Sequence, residues 1–541
     1  MEMTGGEAVV AALDALDVDH VFGIVSIHNI PIYDAIAREG RITMVSVRHE
    51  QGAVHAADGY ARATGKLGVA IVSTGPGTTN AMTGLFEAGF ASSPVLVITG
   101  QIESTSYGKG KGALHEAERQ LPMLQTVTRR AETVRRTEDI AATVVRLGDT
   151  ALTGRPQPVA VEIPVDLQYR RAEVDVPKAS TDTRIRPEPN AIAEAAAALS
   201  AAARPIIWAG GGVVSSGAGG ATGPLVQLAE RLQAPVVTTL NGRGSIPEDH
   251  PLSIGATTAT PAVGALLAEA DLIFAVGTRF QAGDTRNWTL SLPGRLVHID
   301  ADPGVLGRSY VPAVGVVSDA QLGLEGVLDA LQPGSIEDGF LMRAQDAART
   351  ARGEMRKAIG PDHEQIMDIM RELLPRDGRV VRDATIPAYL WGDRLIPIYE
   401  PRTSMRPTSA AIGPGVPLGI GAALGSGRPT VVIQGDGGLM LNVGEFATAA
   451  QHGPPLVVCI FNDRGYGVLR GIQSRAFEGR QTGVDLATPD FVALARSMGL
   501  SAEGVDTIDG FREAFARALA SGGPTVLEID LAALPLRRRP A

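Results

Sequence analysis

A single cysteine, Cys459, stands in a chain of 541 residues, so no intramolecular disulfide can brace the fold. It lies inside the apolar run Leu456 to Phe461, where a thiol reads as a small core hydrophobe rather than a nucleophile. No apolar run approaches the roughly 18 residues of a membrane helix. The opening Met1-Glu2-Met3-Thr4-Gly5-Gly6-Glu7 has neither the basic start nor the apolar stretch of a signal peptide. The expected address is the cytoplasm, with no membrane partner. Positive charge is not in excess either: 49 Lys and Arg oppose 59 Asp and Glu, a net −10 spread along the chain, which argues against nucleic acid as a partner.

What is present is an enzyme-like composition. Hydrophobic residues make up 44% and charged residues 20%, enough to bury large cores. Glycine, at 64 residues, exceeds the usual share of about 7% and marks many close backbone approaches. At roughly 150 residues per domain, three domains are expected. Short β-branched runs bounded by Gly or Pro alternate with longer Ala/Leu-rich segments of helical period, the pattern of α/β domains with doubly wound parallel sheets. Two stretches break the rhythm. Ala172 to Pro189 is polar and unperiodic and reads as a linker; Pro333 to Gly360 is charged and helix-like with few apolar anchors and reads as a connector. They set off segments near 1–172, 185–333 and 360–541.

The outer segments carry a faint repeat. Val69 to Val72 runs into Gly75-Pro76-Gly77, a helix, Pro94 and the strand Val95 to Ile98; Val431 to Ile433 runs into Gly435-Asp436-Gly437, a helix, Pro454 and the strand Leu456 to Val458. In both, 19 positions separate the first glycine from the proline. Asn462-Asp463-Arg464-Gly465-Tyr466-Gly467 follows 27 positions after Gly435. Both stretches close an apolar strand, where ligands bind in open parallel sheets. Carboxylates on neighbouring strand ends, with glycines baring backbone N–H groups, suit a hard cation and a diphosphate together.

These motifs resemble the thiamine diphosphate-dependent enzymes of the acetolactate synthase, benzaldehyde lyase and 2-oxo acid decarboxylase group, and the resemblance runs over essentially the whole chain. It implies pyrimidine-binding, central Rossmann-like and diphosphate-binding domains in that order. It implies thiamine diphosphate and Mg2+, with Asp436, the Asp463 side chain and the Gly465 carbonyl on the metal, and Gly435, Gly437, Gly438, Tyr466, Gly467 and Thr385 around the cofactor. The family motif has Asn where Asp463 stands, so this loop carries one more negative charge. In Arg48-His49-Glu50-Gln51-Gly52, Glu50 takes the place of the family's glutamate, which shares a proton with N1′ of the aminopyrimidine so that the 4′-amino group can deprotonate C2. Pro76 and Asn80 fall in the loop beside the pyrimidine, Gln101 at the family's active-site glutamine, and Ile412 at the apolar residue that bends the cofactor into a V.

Nine histidines occur. His28 lies where lyase-like members carry a histidine, and His115 where glutamine is usual; either imidazole suits proton transfer at a carbonyl oxygen. The central segment has Ile254-Gly255-Ala256-Thr257-Thr258 in place of the Met-His-Gly of flavin-containing members, so FAD is not expected. Leu469-Arg470-Gly471-Ile472 lacks the tryptophan of true acetolactate synthases, and Ser73 stands where phenylglyoxylate-type decarboxylases have a catalytic histidine. The implied function is a lyase, carboligase or decarboxylase acting on a 2-oxo acid, aldehyde or 2-hydroxy ketone through a C2 ylide and enamine. It implies a homodimer or homotetramer with shared sites. An alternative is a sensor or regulatory subunit that kept the fold and lost the reaction; retention of Glu50 with both aspartates counts against it. A nicotinamide dehydrogenase built on Gly210-Gly211-Gly212 lacks the GxGxxG spacing.

Overall fold

A computed structural model describes residues 1–292, 294–334 and 336–536; the last residues of the 360–541 segment therefore lie outside the described part. Three six-stranded sheets with flanking helices make up the fold. The first runs in the order Thr43–Ser46, His20–Gly23, Gly68–Val72, Val95–Gln101, Val159–Pro164, Arg130–Thr133, with parallel pairing throughout. Numbered along the chain, that is 2-1-3-4-6-5. The third, built from Arg379–Arg382, Ser404–Met405, Thr430–Gly435, Leu456–Asn462, Ser501–Val505 and Thr525–Asp530, has the same 2-1-3-4-6-5 order. The faint sequence repeat is thus a repeat of topology. The central sheet runs Ser253–Gly255, Val236–Thr238, Pro205–Ala209, Leu272–Val276, Arg295–Asp300, Val314–Val317, the 3-2-1-4-5-6 order of dinucleotide-binding folds.

The strands are apolar on both faces because helices cover both. In the first sheet Val69 and Ile71 enter one core with Val9, Leu13 and Val144, while Ala70 and Val72 enter the other with Val54, Ala57 and Leu85, as the two-residue period of a strand requires. Cys459 is buried in its strand, and burial holds its thiol far above the ordinary range.

The chain packs as two compact units. One comprises Met1–Thr183, Pro407–Gly504 and Arg517–Glu528; the other comprises Arg184–Arg406, Val505–Ala516 and residues 529–536. Two sequence expectations need adjustment. The stretch from Ala172 begins in order, since Arg171–Glu173 pairs antiparallel with Glu2–Thr4. The charged stretch after Pro333 forms a helix, Phe340–Ile359, as its pattern predicts, but it is anchored in a core rather than being a bare connector. Its apolar anchors, Phe340 and the small Ala344, Ala348 and Ala351, are spaced at helical period, and they pack into the core that also holds Ile273 and Phe280. Among the described residues no helix is long and apolar enough to cross a membrane.

Within the first unit the helices Glu50–Thr64 and Gly415–Ser426 cross at backbone contact. A Cβ on Gly59 would lie 2.0 Å from the Leu418 carbonyl oxygen, and one on Gly421 would lie 1.8 Å from that of Ala56. Small residues are obligatory at this crossing, which also buries His55 completely.

His55, His298 and His363 are all buried, and desolvation lowers each imidazole to about 4. The folded state therefore favours the neutral rings, while the unfolded chain takes up protons near 6.5. Each ring contributes stability that is full above about pH 6.5 and is lost as pH falls toward 4. The melting temperature should drop between pH 7.5 and 5. His55→Leu, which replaces a ring with neither nitrogen hydrogen-bonded, should recover about 2 kcal/mol of that loss at pH 5, read by calorimetric melting across the pH range.

Candidate active site

The predicted residues of the first unit gather in two clusters at strand ends. In the first, Glu50 opens the helix Glu50–Thr64. One of its carboxylate oxygens accepts a hydrogen bond from Asn80 Nδ2 at 2.9 Å, and the other faces Gly77, whose Cβ would come within 3.1 Å of it. Asn80 and Pro76 are exposed on the helix Pro76–Ala91. The turn before that helix is set by Gly75, at φ +57°, where any side chain would strike the His115 carbonyl oxygen at 2.4 Å.

His28 and His115 meet here, with ring centroids 5.1 Å apart. His28 is buried, and Nδ1 of each ring is buried without a hydrogen-bond partner. Burial, and then the neighbouring His115, lower the His28 imidazole below its ordinary value. It rests neutral, with a free nitrogen: an acid–base group still unspent.

Gln101 is placed differently from a substrate contact. It is buried, its Oε1 accepts Ile102 N–H at 2.8 Å, and its Nε2 donates to Glu162 Oε1 at 3.0 Å. Glu162 also receives Gln120 Nε2 at 2.8 Å and the Thr133 hydroxyl. Gln120 Oε1 in turn accepts the Gly75 N–H at 2.7 Å and the Thr74 hydroxyl at 2.8 Å. The loop Ser73–Pro76 thus hangs from a buried Gln–Glu–Gln network whose Gln120 and Glu162 the sequence motifs do not mark.

In the second cluster, Gly435 ends its strand and Asp436, buried, begins a short helical turn. Asp436 Oδ2 accepts the Gly465 N–H at 2.8 Å. Gly465 has φ +155°, and a Cβ there would lie 2.0 Å from the Val484 carbonyl oxygen, so only glycine fits. The Tyr466 ring lies against Gly437, where a Cβ would come within 2.7 Å, and Gly467 opens the helix Gly467–Ala476. Asp463 shares a hydrogen bond with Asp436, and burial followed by the Asp436 charge raises its carboxyl. Ile412 is part-exposed (38%), between Ala410 at φ +63° and Gly413 at φ +103°. Asn442 Nδ2 donates to the Gly413 carbonyl at 3.0 Å, and Gly413 abuts Gly438, so the backbone next to Ile412 lies beside the glycine turn. Thr385, buried, follows the strand Arg379–Arg382 in the other unit.

Among the described residues no group of three or more His, Cys, Asp or Glu is arranged for a metal. A cation bound here would rely on two carboxylates, a carbonyl and oxygens brought by its ligand. That all-oxygen donor set suits a hard divalent ion beside a diphosphate, and the residues present fit both groups.

Three family models match: the N-terminal thiamine pyrophosphate-binding domain over residues 3–123, the central domain of the same enzymes over 192–328, and the C-terminal thiamine pyrophosphate-binding domain over 388–529. The chain belongs to the thiamine pyrophosphate enzymes. It is 36% identical to a probable 2-ketoarginine decarboxylase of Pseudomonas aeruginosa, across 97% of this chain and 94% of that protein. It is 33% identical to a probable acetolactate synthase large subunit of Methanocaldococcus jannaschii (97% and 92%) and 31% identical to an acetolactate synthase of Arthrospira platensis (97% and 94%). It is therefore a thiamine diphosphate-dependent enzyme of the decarboxylase and acetolactate synthase-like family.

In this thiamine pyrophosphate enzyme two further buried carboxylates hold the loops that bear site residues. Glu445 accepts the backbone N–H groups of Arg48 (3.2 Å) and His49 (3.1 Å), just ahead of Glu50. Glu87 accepts those of Thr408 (2.6 Å) and Ser409 (2.9 Å), just ahead of Ile412, together with Arg62 Nη2 at 2.8 Å. Burial pushes the Glu87 carboxyl up, and Arg62 and Ser409 more than reverse it, leaving it below the ordinary range. Removing one partner of such a buried pair costs about 3–5 kcal/mol. Glu87→Ala should lower the melting temperature by several degrees, whereas Asn80→Ala, which deletes only an exposed donor, should leave it within about a degree; differential scanning calorimetry of both decides.

Proposed function

We propose that this enzyme cleaves or forms the carbon–carbon bond next to a carbonyl in 2-oxo acids or 2-hydroxy ketones, with thiamine diphosphate and Mg2+ as its cofactors. The observation that carries the reading is the Glu50 carboxylate, fixed by Asn80 on one oxygen and open toward the glycine loop on the other. The relatives' names, a 2-ketoarginine decarboxylase and acetolactate synthases, support a 2-oxo acid as substrate. The bound cofactor supplies an electron sink for the broken bond. Glu50 holds a proton at its aminopyrimidine. Asp436, Asp463 and the Gly465 carbonyl hold the cation, the turns at Gly435 and Gly467 present N–H groups to the diphosphate, and Ile412 supports the cofactor's bend. His28, neutral and with a free nitrogen, donates or accepts a proton at the substrate's carbonyl oxygen, and His115 orients it. Such a reaction is redox-neutral and asks nothing of FAD.

The same reading makes the enzyme a homodimer or homotetramer with sites shared between subunits. Exposed apolar side chains adjoin both clusters in sequence, Val25, Ile27 and Leu114 at the first and Met440, Leu441, Leu469 and Ile472 at the second, and apolar surface of this kind favours association.

Purified protein supplied with thiamine diphosphate and Mg2+ should turn over at least one member of a panel of 2-oxo acids that includes 2-ketoarginine and pyruvate. Glu50→Gln, folded and still able to bind cofactor, should lose about 10² or more of that rate. Full activity in this variant, or in protein stripped of cofactor and metal, would overturn the assignment. His28→Ala should lower kcat by at least about tenfold with little change in melting temperature, and should abolish the limb of the kcat/KM pH profile that falls in the imidazole range.

A further inference from the structure

Arg470 lies on the helix Gly467–Ala476, which buries none of its residues, yet it is the most heavily engaged side chain of the Asp463 loop. Its Nη1 is 3.6 Å from Asp463 Oδ2 and donates to the Asp463 carbonyl at 3.4 Å; its Nη2 donates to the Arg464 carbonyl at 3.2 Å and pairs with Asp485 Oδ1 at 2.9 Å. The Asp485 contact falls where the loop is tied back on itself, since Gly465 and Asp485 face each other in an antiparallel bridge. A single guanidinium therefore spans both ends of the loop that would carry the cation.

The physical problem at this loop is like charge. Asp436 and Asp463 sit within hydrogen-bonding distance of each other, and a diphosphate brings several further negative charges that one divalent cation does not cancel. The second carboxylate strengthens the hold on the cation and weakens the hold on the anion. Arg470 offsets part of that charge from the side of Asp463, its closer partner Asp485 being 77% exposed and screened by solvent, and its planar fork keeps the guanidinium fixed against the loop carbonyls rather than free to sweep the site. We propose that Arg470 is the charge partner of Asp463, a positioning residue that makes a two-carboxylate metal loop compatible with a diphosphate ligand. The proposal rests on the reading of Asp436, Asp463 and Gly465 as the metal loop.

The test is a binding measurement on cofactor-free protein: calorimetric titration with thiamine diphosphate at saturating Mg2+ for wild type, Arg470→Met, Arg470→Lys, Asp463→Asn and the Arg470→Met/Asp463→Asn double variant. Arg470→Met should weaken binding by about tenfold, and adding Asp463→Asn should bring the affinity back to within about threefold of wild type, the signature of coupled neighbours. Arg470→Lys, which keeps the charge but loses the fork's grip on the loop carbonyls, should fall between wild type and Arg470→Met. An equal loss from Arg470→Met in the Asp463 and Asp463→Asn backgrounds, no loss at all, or a Lys variant as weak as Met overturns the charge pairing. Wild-type protein that fails to bind the cofactor with Mg2+ overturns the metal-loop reading itself, so the two failures are told apart.

Discussion

A carboxylate taken out of water must find donors, and the first unit turns that demand into architecture. Glu87, from the first third of the sequence, and Glu445, from the last, are both buried, and each is satisfied by consecutive backbone N–H groups belonging to the other region. The cost of leaving a buried charge unpaired is large, so neither loop can drift without penalty. One loop leads straight into Glu50 and the other into Ile412. The exchange is reciprocal, from carboxylates on the helices Pro76–Ala91 and Glu445–His452, both within the first unit. Burial outweighs the donors at Glu445, whose carboxyl is raised, whereas Arg62 tips the balance the other way at Glu87.

Such short carboxylate-to-backbone contacts need the elements to approach closely, and the glycines supply the approach. Gly59 and Gly421 let two helices meet at their backbones, and Gly52 lies where any side chain would strike the Glu445 carboxylate. The high glycine content is therefore spent on helix crossings as well as on ligand loops. The same economy appears under the glycine turn at Gly75, where Gln120 and Glu162 replace what a bulkier turn would provide through packing.

The parallel strands, the glycine turns that end them and the equal spacing in the two outer segments are local features, visible in sequence because periodicity and turn chemistry act over a few residues. The shared strand order follows from them. Glu50, Asp436 and Gly465 are likewise marked by their immediate neighbours. Gln120 and Glu162 are not: their meaning depends on contacts 42 to 46 positions away in sequence, and in isolation each reads as a polar residue near the end of an element. Gln101 shows the converse. It carries a family motif, but its amide is consumed by Ile102 and Glu162, a fact that only the packed neighbourhood reveals. The helix Phe340–Ile359 looks solvated in sequence because its buried face consists mainly of alanines, which register weakly as apolar anchors.

The two clusters also divide the electrostatic labour. Around His28, burial and a second imidazole favour the neutral ring. Around Asp436 and Asp463 burial opposes the ionisation of both carboxyls, and the Asp436 charge further opposes that of Asp463. Arg470 answers part of that charge from the protein, and on the proposed reading a divalent ion would answer the rest. On that reading the His28 cluster would meet the substrate, where a proton can move either way, and the aspartate cluster would meet the diphosphate. Such a separation would let one tightly held cofactor serve carbonyl chemistry near neutrality.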